Sequence, residues 1–265
     1  MQMLQVLRFC PGFATMNPLV QESAEPPEHE PQTVRALLEM RELVIAGAFK
    51  PGERIREVWL AARLGVSRTP VRLVLERLVH EGLLQARDKG GFMARQFTLQ
   101  DILDVIETRG VLEGTAARLA AERLQSEAET APMRECLAEI DRILTDRAHN
   151  YSPVASWATH DTRFHRLLID LAKSPILRRS LEQMLGLPLA SPDAFVGSGD
   201  DAASHNQLVV AQSQHRAIAE AIAERDGARA EAVAREHSRP GRNAIVRAFE
   251  ERRIRQLPGG LLVRI

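Results

Sequence analysis

Aromatic residues and cysteines are scarce in this chain. Phenylalanine, tryptophan and tyrosine make up 4% of its 265 residues, and the two cysteines, Cys10 and Cys136, form no C-x-x-C pair. This spacing excludes a disulfide framework and a thiolate zinc site. No apolar run is long enough to span a membrane, and no signal-peptide cleavage pattern follows the apolar patches near the N-terminus. The sequence therefore predicts a cytoplasmic protein that has no membrane partner.

The chain also lacks a net charge, but its charges are unevenly distributed. It has 35 basic and 35 acidic residues; residues 31–97 carry 12 Lys and Arg against 7 Asp and Glu, whereas residues 98–265 carry 22 against 24. A local basic surplus is typical of a region that contacts phosphate groups. Alanine and leucine are abundant, which favours helices, and the length is sufficient for two domains.

Residues 57–80 show the pattern of a helix-turn-helix. A short helix over 57–64 is predicted to end at Gly65, and Ser67 is the predicted N-cap of the next helix, with its hydroxyl accepting from a free N–H group. Pro70 falls in the first turn, where its missing N–H breaks no intrahelical bond. The apolar positions that follow have the spacing of a buried helix face, and they are Val71, Val74, Leu75 and Leu78.

The exposed face of this second helix predicts contact with duplex DNA. Arginines near the N-terminus of such a helix reach phosphates and base edges in the major groove. Two short apolar segments flank Gly90-Gly91 and predict a β-hairpin, the wing of a winged helix-turn-helix. The alternative to a DNA-binding domain is an ordinary small α+β domain whose arginines are solvated. The candidate DNA-binding residues are Ser67, Arg68, Thr69, Arg72, Arg77, Lys89, Gly90 and Gly91.

The predicted fold is mainly α, with a winged helix-turn-helix followed by an antiparallel helical bundle of about six helices. Thr98 and Asp101 form a capping box that opens the bundle, and a helix over 227–254 is expected to close it. The loop over 187–201 is unusually long for a bundle and has no predicted role. The expected divisions are a disordered tail over 1–31, the winged helix over 32–97, the bundle over 98–256 and a frayed C-terminal tail over 257–265.

Four polar residues of the bundle are candidate metal ligands. Asp161 and His165 are four residues apart on one predicted helix and so share one face, while His215 and His237 lie on the two last predicted helices. Three imidazoles and a carboxylate suit a divalent transition ion. From spacing alone, a histidine on a helix is more often a hydrogen-bonded or surface residue than a metal ligand.

The segment from about 47 to 92 resembles the GntR family of bacterial transcription regulators. The resemblance rests on S-R-T-P-V-R at 67–72, E-G-L at 81–83 and the wing glycines. It implies that Arg68, Thr69 and Arg72 contact operator DNA and that a wing glycine lies near the minor groove. The family usually has Glu-Ala after the arginine, whereas this chain has Leu73-Val74, so Arg72 lacks its usual neighbouring carboxylate.

Residues of about 100–250 resemble the FCD ligand-binding domain found in one branch of that family. The matching stretches are T-R-G-V-L-E at 108–113, D-T-R-F-H at 161–165, Q-H-R-A-I at 214–218 and A-R-E-H at 234–237. The resemblance implies that Asp161, His165, His215 and His237 hold one divalent ion per protomer, with zinc favoured over nickel or manganese. Gln214 stands where glutamate is commoner.

Arg109 is the candidate effector-binding residue. It faces the interior if its helix buries the apolar positions around it, and an ion pair with Glu113, four residues on, would explain such a placement. The resemblance implies instead that Arg109 binds the carboxylate of a small organic acid beside the ion. A guanidinium fork and a metal with open coordination positions would together capture such a group.

These features predict a homodimeric, effector-responsive repressor that binds operator DNA; the dimer rests on the resemblance. One alternative is a metal sensor in which the ion itself is the signal. Another is a metal-dependent hydrolase or lyase with a DNA-docking module. An enzyme would need a general base or nucleophile near the ion. Since the sequence has no H-E-x-x-H, no G-x-S-x-G and no second carboxylate cluster, we expect that the protein is not an enzyme.

Overall fold

A computed structural model describes residues 32–145, 153–191, 202–257 and 259–264. The predicted N-terminal tail lies outside these residues. The N-terminal unit contains three helices and a small sheet. Its helices are α1 (Gln32–Ile45), α2 (Glu57–Leu64) and α3 (Arg68–His80), and its strands are β1 (Arg54–Ile55), β2 (Leu84–Ala86) and β3 (Phe92–Ala94).

A helical bundle follows, so the mainly α fold is confirmed. Its helices in the described residues are α4 (Leu99–Arg123), α5 (Ala131–Thr145), α6 (Pro153–Leu171), α7 (Pro175–Leu185), α8 (Ala202–Ala223), α9 (Gly227–His237) and α10 (Arg239–Glu250). The expected single helix over 227–254 is wrong, because α9 ends at His237 and α10 begins at Arg239. Pro240 lies in the first turn of α10, where its missing N–H is tolerated, whereas inside a continuous helix it would remove a hydrogen bond. No described helix has the length and apolarity that a membrane span requires.

The helix-turn-helix forms where it is predicted, but its N-cap differs in detail. Gly65 ends α2 in the left-handed conformation, with φ of 64°, which favours glycine. Ser67 occupies the N-cap position of α3, yet its hydroxyl accepts from none of the described N–H groups of the first turn, which corrects the predicted cap bond. Backbone contacts close the turn instead, because the Val66 N–H donates to the Ala61 carbonyl at 3.2 Å.

The wing is the β2–β3 hairpin, and β3 is the central strand of the sheet. It pairs antiparallel with β2 on one side and with β1 on the other. Gly90 and Gly91 at the hairpin tip have φ of 81° and 92°, values that other residues rarely adopt. The sequence did not predict β1, since two residues are too short to show an alternating pattern.

Two clusters of buried apolar side chains stabilise the structure, and α4 contributes to both. Ile102 and Ile106, near the start of α4, pack with the winged helix, whereas Ala116 and Ala120 pack inside the bundle. The capping box of Thr98 and Asp101 forms as predicted and fixes the start of this helix. A single helix therefore connects the cores of the two units.

The C-terminal segment is ordered in its described residues, which corrects the expectation of a frayed end. Leu262 and Val263 are buried in the same apolar cluster as the winged helix. The Phe97 N–H donates to the Leu262 carbonyl at 2.9 Å, and the Arg264 N–H donates to the Phe97 carbonyl at 2.7 Å. Burial of two aliphatic side chains and these backbone hydrogen bonds outweigh the conformational freedom that the preceding glycines give to the segment.

Candidate metal centre and nucleic-acid interface

The structure brings together the four predicted metal ligands inside the bundle. Asp161 and His165 come from α6, His215 from α8 and His237 from α9, and one ligand atom from each lies within 4.8 Å of the others. The His215 Nε2 atom is 3.0 Å from His237 Nε2 and 3.3 Å from Asp161 Oδ1. His165 Nε2 is 3.9 Å from Asp161 Oδ2. The i, i+4 spacing on α6 and the close packing of α9 on α8 produce this convergence.

Each of the three imidazoles directs its other nitrogen at an oxygen acceptor. His237 Nδ1 is 2.9 Å from Gln214 Oε1, His215 Nδ1 is 3.4 Å from Gln212 Oε1, and His165 Nδ1 is 3.0 Å from Glu113 Oε1. An acceptor at Nδ1 holds the ring proton there and leaves the Nε2 lone pair facing the centre of the cluster. Gln214 therefore performs this role with its amide oxygen, where the family more often has glutamate.

This arrangement fits a divalent cation. With the protons on Nδ1, the Nε2 atoms of His215 and His237 have no hydrogen to donate, so two lone pairs face each other at 3.0 Å. A cation between them would turn this repulsion into coordination. Neighbouring nitrogen ligands of a tetrahedral zinc ion lie about 3.3 Å apart, since each bond is about 2.0–2.1 Å. The donor set and its spacing both suit such an ion.

The pKa shifts of two of the three histidines suit metal binding. Burial, followed by the neighbouring charges of His237 and His165, lowers the pKa of His215 well below its usual value. Burial and the charge of His165 lower the pKa of His237 to about 3. Burial acts in the same direction on His165, but the carboxylate of Glu113 outweighs it and raises that pKa. His215 and His237 are therefore neutral at physiological pH, as ligands must be.

Glu113, predicted only as an ion-pair partner of Arg109, also contacts a candidate metal ligand. It is buried, and its two oxygens lie 3.0 Å from His165 Nδ1 and 3.4 Å from Arg109 Nε. Burial raises the pKa of Glu113, but His165 and Arg109 outweigh burial and lower it to about 2. Its carboxylate therefore stays charged and links the metal cluster to Arg109.

Arg109 is buried in the bundle interior, where the sequence placed it. Besides its ion pair with Glu113, its Nη1 donates to the Ala190 carbonyl at 2.5 Å. Ala190 belongs to the segment 187–191, the described part of the long loop. The neighbouring Leu189 has a φ of 57° and buries its side chain in the apolar cluster of the winged helix. This segment therefore joins Arg109 to the N-terminal unit.

The exposed face of α3 groups three of the eight predicted DNA-binding residues. Arg68, Thr69 and Arg72 line one depression together with Glu57, Leu73 and Glu76. Arg72 Nε donates to Glu76 Oε1 at 3.1 Å, so a carboxylate one turn along α3 replaces the one that the family pattern has next to the arginine. Arg68 lies 3.7 Å from Glu57 at the start of α2. Both arginines are exposed and held in place before any ligand binds.

The remaining candidates lie outside this depression. Arg77 donates to Glu81 at 2.7 Å and lines a separate groove with Lys173 and Arg178 beside α7. Lys89 and Gly90 are exposed at the wing tip. The Gly90 N–H donates to the Arg87 carbonyl and so closes the turn of the hairpin. Ser67 is exposed before α3. The structure thus groups Arg68, Thr69 and Arg72 and separates Arg77 from them.

Family models match both units of the chain. Residues 32–93 match the model described as bacterial regulatory proteins, gntR family, and residues 104–239 match that of the FCD domain. The chain belongs to the GntR family. The predicted family is therefore confirmed, and the GntR family consists of regulatory proteins and not of enzymes.

Several known proteins are similar to this GntR-family chain. An uncharacterized HTH-type transcriptional regulator, YdhC of Bacillus subtilis, is 32% identical over 55% of this chain and 63% of its own length. The Nta operon transcriptional regulator of Aminobacter aminovorans is 36% identical over 54% of this chain and 64% of its own. The chain thus spans slightly less than two thirds of these relatives. The solved structure of E. coli McbR/YncC shares the fold, with a TM-score of 0.61, 19% identity and coverage of 83% of this chain and 100% of that one.

Proposed function

We propose that this protein is a metabolite-responsive transcription regulator, in which a ligand at the FCD metal centre changes the affinity of α3 for operator DNA. The observation that carries this proposal is the position of the segment 187–191. Leu189 is buried in the winged-helix core, while the carbonyl of the next residue accepts from Arg109. Arg109 in turn contacts Glu113, which contacts a candidate metal ligand.

DNA recognition is assigned to α3 and the wing. Arg68, Thr69 and Arg72 are exposed on one face of the recognition helix and contact bases and phosphates of the major groove. Lys89 and Gly90-Gly91 contact the backbone near the minor groove, and Ser67 and Arg77 contact phosphates at the edges of the interface. A relative from Paenarthrobacter nicotinovorans, 32% identical over 72% of its length, is named a probable D-xylose utilization operon transcriptional repressor, which supports repression.

The metal centre is assigned to Asp161, His165, His215 and His237, which hold one divalent ion per protomer. Zinc is favoured, and nickel and manganese are the alternatives. When bound, the ion supplies a Lewis-acid position for an oxygen of the effector. Elemental analysis of untagged protein, expected to give one ion per protomer, tests this assignment.

The effector is assigned as a small organic acid whose carboxylate binds Arg109. In the structure this guanidinium donates to a neutral backbone carbonyl, that of Ala190. A carboxylate is a stronger acceptor for a guanidinium than a carbonyl is, so the acid competes for the same N–H groups. Release of Ala190 frees the segment that carries Leu189 and changes how the winged helix is held. A metal titration that tunes operator binding without any acid would instead identify the ion as the signal.

The protein is proposed to act as a homodimer on a near-palindromic operator. One winged helix offers a small interface, and two linked half-sites multiply the affinity through effective concentration. Light scattering at micromolar concentration tests the dimer, since each protomer has a mass of 29.5 kDa. A monomeric mass that DNA does not change would contradict it.

The assignment of α3 is tested with Arg68→Ala and Arg72→Ala. Each substitution is expected to weaken specific binding by about 1–3 kcal/mol if the arginine contacts a base bidentately. Arg134→Ala on α5 is the matched control, because Arg134 is similarly exposed and lies in the other domain. Operator affinity is measured by fluorescence anisotropy at several salt concentrations. Binding of the double variant that equals the wild type would refute the assignment.

A further inference from the structure

An exposed leucine lies on the DNA-reading face of α3. Leu73 is 56% exposed, although the two residues that follow it, Val74 and Leu75, are buried in the winged-helix core. It follows Arg72 directly and lies one turn after Thr69, and it lines the same depression as these two residues. Single exposed aliphatic side chains are common on protein surfaces, so exposure alone has no functional meaning. The functional argument for Leu73 comes from its position beside residues that are proposed to contact DNA.

The chemistry of the major groove limits what a leucine can contact there. The base edges present hydrogen-bond donors and acceptors, and the one apolar group among them is the C5-methyl of thymine. A leucine has neither donor nor acceptor, so against a polar base edge it would displace water without replacing the lost hydrogen bonds. Contact of the leucine with the thymine methyl group is favourable, because it buries apolar surface on both sides.

The neighbours of Leu73 are arranged to bring it to a base edge. Arg68 and Arg72 line the same depression as Leu73, and Arg72 Nε donates to Glu76 Oε1 at 3.1 Å. Thr69, at i−4, lies on the same side of α3, so the two side chains face the groove as neighbours along the helix. Arg77, four residues after Leu73, lines a separate groove beside α7.

We infer that Leu73 is a specificity-determining residue that selects thymine at one position of each operator half-site by contact with its methyl group. The inference rests on the proposed role of α3 in reading DNA. It adds an apolar readout to the polar readout assigned to Arg68 and Arg72.

The test uses the full-length protein and sites recovered from a pool of randomised duplex DNA. In the best recovered site, each thymine is replaced in turn by deoxyuridine, which lacks only the methyl group. For the wild type, deoxyuridine at one thymine of each half-site is expected to weaken binding about fourfold per thymine, the value for one buried methyl group. Leu73→Ala is expected to bind the thymine and deoxyuridine sites equally well. Ile176→Ala, an exposed aliphatic change on α7, is the control and should keep the wild-type preference.

Three results would overturn the inference. Leu73→Ala could keep the full thymine preference, which would mean that the methyl group is sensed through DNA shape or by another residue. It could weaken all sequences by one common factor, which would show a role in folding or general affinity. Deoxyuridine could also leave the binding of the wild type unchanged at every position, which would show that no thymine methyl group is contacted. If the wild type enriches no sequence at all, the proposed DNA-reading role fails as well, so the two failures are distinguishable.

Discussion

Glu113 contacts both a candidate metal ligand, His165, and the candidate effector-binding residue, Arg109. Its carboxylate is buried, so loss of its charge would remove a negatively charged partner from both side chains. The sequence predicts its ion pair with Arg109 because both lie on α4 at i, i+4 spacing. It does not predict the contact with His165, because that contact joins α4 to α6 and depends on how the two helices pack.

Glu113→Gln is therefore expected to weaken metal binding about 10- to 100-fold, the range for groups that orient a histidine ligand. The glutamine keeps the shape of the side chain but no longer stabilises the ring proton of His165 with a negative charge. Metal affinity is measured by competition with a chromophoric chelator, together with the metal content of the purified protein. Glu122→Gln is the control, since Glu122 lies on the same helix but is exposed and pairs with Arg118. Equal affinity of Glu113→Gln and the wild type would show that Glu113 only neutralises Arg109.

The helices follow closely from the sequence because their caps and apolar periodicity are local signals. The capping box of Thr98, the left-handed Gly65 and the first-turn prolines mark the boundaries of α2, α4, α6 and α7. The four metal ligands could likewise be named, since the i, i+4 pair on α6 and two further helical histidines are visible in the sequence. Their acceptors Gln212 and Glu113 could not be assigned, because tautomers and helix contacts depend on tertiary packing.

Strand β1 and the C-terminal segment differ from the prediction because both depend on contacts between segments that are distant in the sequence. Strand β1 exists because its two residues pair with β3, and the C-terminal segment is ordered because Leu262 and Val263 find an apolar cluster formed by the winged helix. In isolation, glycines and a short apolar stretch at a chain end predict fraying. The tertiary contact reverses that prediction.

Leu262→Ala is expected to lower the free energy of unfolding by about 2–5 kcal/mol, because it removes a fully buried aliphatic side chain from this cluster. Leu261→Ala is the matched control in the same segment, since Leu261 is 46% exposed, and it is expected to cost much less. Urea denaturation followed by circular dichroism measures both. Equal transition midpoints for the two variants would mean that the C-terminal segment does not contribute to the stability of the winged helix.

In the part of the chain that the structure describes, several connections join the metal-binding bundle to the DNA-reading unit, and two of them involve Arg109 or its partner Ala190. The first is α4, which begins in one apolar cluster and continues into the other. The second is the segment 187–191, in which Leu187 lies against Gly82 after α3 and Pro188 lies against Gly259 of the C-terminal segment. A ligand that changes the position of Ala190 would move the contacts of Leu187 and Leu189 with the N-terminal unit and that of Pro188 with the C-terminal segment. Such a ligand alters DNA affinity only as far as it prefers one of two conformations.

The most direct test of this coupling compares operator affinity with and without an organic acid, for the metal-loaded wild type and for Arg109→Ala. The acid is first selected by a thermal-shift screen of small carboxylates on the wild-type protein, and melting curves establish that the variant is folded. The acid is expected to change the Kd of the wild type for its operator by about 5- to 150-fold. Arg109→Ala also lacks the bond to Ala190, so it is expected to bind the operator with the affinity of the acid-bound wild type, and the acid should not change that affinity. A full response of Arg109→Ala to the same acid would contradict the account, because the signal would then not pass through Arg109 and Ala190.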